Sequence, residues 1–136
     1  MRRILLLPLL ILFFVCCQKN PLVGRWERYG DEAAGTIVEV EEYGNLCHAK
    51  LFKVAGVLKK LGFAENDIKW RDIEPMGENK WQGKDLIKEI DALGNIASVE
   101  YKDVYYMLID KTELEIRWFA KEQEIVGIAQ RWRRIK

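Results

Sequence analysis

Cys47 and His48 stand first among the residues able to do chemistry, because a thiol beside an imidazole is the raw material of thiol catalysis. Consecutive residues on a strand point to opposite faces, so this pair is poorly placed to share a proton. His48 is the sole histidine, and Cys47 the sole cysteine after residue 17. Two ligands fall short of the three or four that zinc needs, so no metal is expected. Cys47 reads instead as a small buried apolar residue. Ser98 is the one serine, and the chain has no Gly-x-Ser-x-Gly, no His-Glu-x-x-His and no phosphate-cradling glycine loop. Asp67 and Asp72 flank Trp70, and two acids beside an aromatic can make a sugar site. The simpler reading has them solvating a loop, as Glu39, Glu41 and Glu42 solvate a strand. The sequence predicts no enzyme and no cofactor.

Two further cysteines, Cys16 and Cys17, end a run of a different kind. Arg2 and Arg3 precede a greasy segment from Ile4 to Cys17, broken only by Pro8, and Gln18, Lys19 and Asn20 follow it. A membrane-spanning helix needs about 20 apolar residues, and this run is shorter. Its layout is that of a signal peptide. The cysteine at its end resembles the lipobox of bacterial lipoproteins, where the signal is cut before a Cys that then carries lipid on its sulfur and amine. Cys17 is the expected anchor, with Cys16 the alternative. Phe14 and Cys16 stand where the usual box has a Leu-like and a small residue. Each buried CH₂ of an acyl chain contributes about 0.8 kcal/mol, so several chains on one Cys hold a protein to a bilayer. Gln18 after the candidate Cys, rather than Asp, resembles lipoproteins sent to the outer membrane. The resulting expectation is a lipid-anchored protein of the cell envelope, at the outer membrane or periplasmic face, with residues 1–17 as signal, 18–21 as a short tether and 22–136 as one domain.

Without the leader, 119 residues remain, with 20 basic and 21 acidic side chains. So even a charge argues against a nucleic-acid partner, which calls for a basic excess. The domain reads as a meander of strands. Val23–Tyr29, Thr36–Glu42 and Leu46–Val54 form the first three, with a tight turn at Tyr43-Gly44-Asn45. Leu51, Val54, Ala55, Leu58 and Leu61 fit one face of a short helix at about 54–61, which Gly62 stops. Residues 62–78 read as a long irregular connection, and such loops are functional or mobile. Strand character returns at Lys80–Lys84. Asp85–Ile90 is a strand or a helical turn and a half, and Ile96–Lys102 and Val104–Ile109 are further strands. Leu114, Ile116 and Trp118 alternate with Glu113, Glu115 and Arg117 in a half-buried strand. A turn at Lys121-Glu122-Gln123 leads to a last strand, with Val126, Ile128, Gln130 and Trp132 on one face and Gly127, Ala129, Arg131 and Arg133 on the other. Seven or eight strands with short connections leave two sheet edges, which closure into a barrel removes. The fold class expected is therefore all-β with one short helix, an antiparallel up-and-down barrel.

Gly24-Arg25-Trp26 on the first strand resembles the Gly-x-Trp signature of lipocalins. Together with Trp81-Gln82-Gly83-Lys84 and Gly127-Ile128-Ala129-Gln130-Arg131-Trp132-Arg133-Arg134, it also resembles a family of small secreted bacterial proteins of unknown function, the DUF2147 type. The chain lacks that family's second Gly before Lys84, and its 54–78 segment differs. The resemblance implies a lipocalin-like barrel closed at one end by Gly24 and Trp26, with Arg131, Arg133 or Arg134 over the Trp ring, and it adds no reaction.

Two functions follow from this reading. A barrel of eight strands is wide enough to hold one small ligand, so the first is binding of a small apolar or amphipathic molecule beneath a lid of Leu61, Phe63 and Trp70. The second is a filled barrel that contacts another envelope protein or the cell-wall polymer, with no small-molecule ligand. The terminal Arg131-Trp132-Arg133-Arg134 run reads as a barrel strand with Trp132 inward, ahead of an anionic headgroup patch.

Overall fold

The computed structural model describes residues 19–119 and 125–136, with the side chains of 119 and 125–129 outside the description. The segment 1–17 expected as a signal, the expected anchor Cys17 with its alternative Cys16, and the turn expected at 121–123 lie outside the described residues. Eight strands run in chain order: β1 Gly24–Tyr29, β2 Ile37–Tyr43, β3 Leu46–Lys53, β4 Ile68–Gly77, β5 Lys80–Ile90, β6 Ile96–Leu108, β7 Glu113–Phe119 and β8 Ile125–Ile135. One short helix, α1 Gly56–Lys60, sits between β3 and β4. Each strand pairs antiparallel with the next, and β1 pairs with β8 from Arg25↔Ile135 to Tyr29↔Arg131, so the sheet is a closed eight-stranded antiparallel barrel without edges.

Two stretches differ from the sequence reading. The expected loop over 62–78 is a loop only to Asp67, and β4 fills the rest. Its alternation is broken by register shifts between Arg71 and Glu74 and by Asp72 at φ +54°, so inward residues fall at Trp70 and Ile73 instead of every second position. The strands expected at 96–102 and 104–109 are one strand, β6, paired without a break from Val99 to Met107 against β5. Asp103 does not interrupt it because its side chain stays outside, bonded to Lys84 at 2.9 Å.

The barrel interior is aromatic. Trp26, Trp70, Tyr106 and Trp132 are fully buried, with the Trp70 ring edge-on to Tyr106 at 5.2 Å and to Trp132 at 4.9 Å. Trp81 is buried as well. Trp118 is not: the register shift between Ile116 and Trp118 turns it half-outward, beneath the Lys102 ammonium at 5.5 Å. Gly83 makes room for this packing, since a Cβ there would lie 3.0 Å from the Tyr106 ring and 3.0 Å from the Arg71 carbonyl.

Candidate functional site

The chain enters the barrel at Asn20. Its carbonyl and side-chain oxygens accept from the Val23 and Leu22 amides, and its Nδ2 donates to Cys47 Sγ at 3.2 Å. Of the residues 18–21 expected as a tether, Asn20 and Pro21 are held by the fold. Trp26 plugs this end, donating Nε1 to the Leu22 carbonyl at 2.9 Å. Arg134 lies over the Trp26 ring at 4.3 Å. Its guanidinium also donates to the carbonyls of Pro21, Val23 and Lys111, tying the chain entry to the β6–β7 turn. Gly24, at φ +130°, leaves the space this guanidinium needs, for a Cβ would stand 2.9 Å from Nη1.

Arg131 and Arg133 do not close the barrel. Trp132 faces inward, so its neighbours face out, and Arg134, two residues on, returns to the side of Trp26. Arg131 is exposed, while Arg133 bonds Glu27 at 2.6 Å and lies over Tyr29 at 5.5 Å.

Toward the other end lies a buried polar chain that sequence reasoning missed. Lys69 Nζ donates to Asp85 and to the Leu86 carbonyl at 2.6 Å. Gln130 Nε2 donates to the second Asp85 oxygen at 3.1 Å, and Trp132 Nε1 donates to Gln130 at 3.0 Å. Lys69 is 2% exposed and Asp85 0%, so neither charge is shared with bulk water. Burial pushes the Lys69 ammonium below its ordinary range, against the pull of Asp85 in the opposite direction. Trp70 Nε1, nearby in the core, is buried without a partner among the described residues. Part of this arrangement has a signal: Trp81, Gly83 and Asp85 share one strand face, as do Gln130 and Trp132. Lys69 has none, because it sits beside an inward Trp70 on an irregular strand.

The residues expected as a lid are not one. Trp70 is at the centre of the barrel on β4. Phe63 is buried, lying 5.3 Å from Lys69 Nζ and 4.9 Å from Lys88 Nζ. Leu61 is half-buried against the same core. These side chains fill the end of the barrel because the segment 56–67 is pinned: Lys88 donates to the Gly62 carbonyl at 2.8 Å, and the Leu51 amide donates to the Asp67 carbonyl at 2.9 Å.

Cys47 and His48 face opposite sides. The thiol is buried inside, and burial with the Glu42 charge raises its pKa. The imidazole is outside, 3.9 Å from Glu41 and against the Tyr43 ring. Asp67 and Asp72 are likewise separated, the first within the 56–67 segment and the second on the outer wall. There Asp72, Glu74, Gln82, Gly83, Lys84 and Asp103 line an open groove of about 340 Å³. Most of its polar groups are paired, Gln82 with Glu74 at 2.6 Å and Lys84 with Asp103 at 2.9 Å, while Asp72 lies 3.6 Å from Arg71.

Among the described residues, β5 and β6 pair only with each other beyond Asp85 and Val104. This hairpin leans on Gly62 through Ile96 and exposes Ile90, Leu93, Ile96 and Val99 around its tip. Comparison of the chain with family models, with curated proteins and with solved structures finds no match.

Proposed function

We propose that this chain is a membrane-anchored envelope lipoprotein whose small barrel is a filled scaffold, acting by contact through its outer surface. The observation that supports a contact role is the occupancy of the interior. Trp26, Trp70, Tyr106 and Trp132 pack ring against ring, and the Lys69–Asp85 pair and Phe63 take the space where a ligand lid was expected. A small apolar ligand would have to displace these rings or meet a buried ion pair, and ligand pockets are concave and mostly apolar. The exposed apolar residues of the β5–β6 hairpin are the kind of surface that protein contacts use. The anchor rests on the sequence of the leader and on the resemblance of its terminal cysteine to a lipobox.

Native mass spectrometry of the purified domain and a thermal-shift panel of lipids and metabolites test the scaffold. The expected result is the bare protein mass and no shift. A retained small molecule returns the barrel to ligand binding. Metabolic labelling with a fatty acid tests the anchor: wild type is expected to incorporate label and Cys17→Ala to lose it. Equal labelling of both moves the anchor to Cys16, and labelling of neither removes it.

A further inference from the structure

We propose that the Trp26 end of the barrel rests on the lipid bilayer, with the tips of its three hairpins, Tyr43, Met76 and Ile109, dipping into the headgroup region. This inference rests on the lipid-anchor reading and adds an orientation to it.

The first observation is where the chain enters. Because every strand is antiparallel to the next, the β2–β3, β4–β5 and β6–β7 turns and the end of β8 all lie at the end where β1 begins. The second is exposure. Each of these three turns carries one large apolar side chain in solvent, Tyr43 at 71%, Met76 at 45% and Ile109 at 53%. None of the three is needed by the core. Apolar and Tyr side chains of this kind are at home at a membrane interface, where one end is apolar and the other wet.

The third is the length of the leash. Asn20 and Pro21 are fixed by the bonds to Cys47 and Arg134, so only Gln18 and Lys19 separate a lipid on Cys17 from the folded barrel. At about 3.3–3.6 Å per residue the link from Cys17 to Asn20 reaches roughly 10 Å. The hairpin tip at Leu93 lies beyond the full run of β5, ten residues on from Lys80, or about 33 Å along the strand. The anchor therefore holds the Trp26 end against the bilayer and leaves the β5–β6 hairpin facing away. Charge at this end is mixed, with Lys19, Lys111 and Lys136 exposed among Glu42, Glu78 and Asp110, and the β5–β6 hairpin exposes apolar residues of its own, so the leash selects the orientation and the three apolar tips are what it brings to the bilayer.

Site-directed spin labelling of the full acylated protein tests the orientation. Cysteine substitutions at positions 43, 76, 109, 93 and 99, each in a Cys47→Ala background, are labelled and bound to vesicles of phosphatidylethanolamine and phosphatidylglycerol. Labels at 43, 76 and 109 are expected to gain oxygen collisions and lose collisions with a water-soluble nickel chelate, while those at 93 and 99 stay aqueous. Hydrogen exchange on the unlabelled protein gives an independent reading, with slowing expected at 43–45, 76–79 and 109–112 and none at 91–95. Aqueous behaviour at all five positions, or shielding at 93 and 99, overturns the orientation. The mass of the purified protein separates the two layers of the claim. With acyl mass present and the tips aqueous, only the orientation falls. Without acyl mass, the anchor falls and the orientation falls with it.

Discussion

At the Trp26 end, the cation that closes the barrel stays partly in water; at the Lys69 end, both ionic partners are out of it. Arg134 stacks on Trp26 and donates to three backbone carbonyls from a half-exposed position. Lys69 and Asp85 are buried in the wall and interior and bonded to Leu86 and Gln130. The first arrangement adds hydrogen bonds and a cation–π contact against a partial desolvation, which holds the Arg134 guanidinium below its ordinary pKa. The second must offset the cost of taking two charges out of water, which a buried pair achieves only when nearly every lone pair is satisfied. The two ends therefore differ in what they tolerate. The Trp26 end should weaken in proportion to what is removed. The Lys69 end should fail when one partner is lost and recover in part when both are replaced.

The largest effect is expected from Asp85→Leu, which strands the Lys69 ammonium. Breaking a buried pair costs about 3–5 kcal/mol, read as a shift of the urea midpoint. The double variant Lys69→Met/Asp85→Leu should regain part of that loss, the remainder being the Gln130 amide left without its acceptor, and adding Gln130→Leu should regain more. A double variant as unstable as the single would mean that the pair is not the source of the cost, and the contrast between the ends would disappear.

Trp26→Ala removes a fully buried ring and should cost about 3–5 kcal/mol. Arg134→Ala forfeits charge-assisted bonds to backbone carbonyls and should cost about 1.5–3 kcal/mol. Because the two side chains touch, the double variant should cost less than the sum. Arg134→Lys keeps the charge but cannot fork to several carbonyls, so it should recover only part of the Arg134→Ala loss. Full recovery would reduce the role of Arg134 to its charge alone. Gly83→Ala, between the two ends, places a Cβ against Tyr106 and the Arg71 carbonyl and should cost about 1–3 kcal/mol in the same assay.

The Trp26 end was the more legible one. The resemblance of Gly24-Arg25-Trp26 to a Gly-x-Trp signature implied a Trp at the closed end and left Arg131, Arg133 and Arg134 open above it, and the same parity that turns Trp132 inward puts Arg134 on its side. Six of the strands follow from alternation and turn residues, because a barrel wall with one dry face writes a period of two into the chain. The Lys69 end was not legible. The bulged register of β4 erases its alternation, so Trp70 and Phe63 read as parts of a loop when both are core. The partner of Lys69 is 16 residues away and the next member of the chain, Gln130, 45 residues beyond Asp85. Only closure of the barrel brings them together, and no local pattern encodes that.

The smallest effect separates the groups by alkaline titration. Burial, with the nearby Asp85 charge, holds the Tyr106 pKa well above its ordinary value of 10.0. The unfolded chain then loses the Tyr106 proton before the folded one does. The stability Tyr106 contributes is complete below about pH 10 and falls as pH rises beyond it, by up to about 1.4 kcal/mol per pH unit. Lys69 has the opposite sign. Its folded pKa is lowered from 10.5, so between that lowered value and 10.5 the unfolded chain holds the proton more tightly, and stability rises with pH. Tyr106→Phe should cost about 1 kcal/mol at neutral pH for the lost bond to the Lys84 carbonyl, and should flatten the fall above pH 10. Lys69→Met/Asp85→Leu should instead remove the rise below it, leaving the fall due to Tyr106 in place. Urea midpoints measured from pH 8 to 11 resolve the two. A Tyr106→Phe curve parallel to wild type throughout would mean that the ring hydroxyl ionises as freely in the barrel as in the unfolded chain, and that water reaches the middle of the aromatic stack.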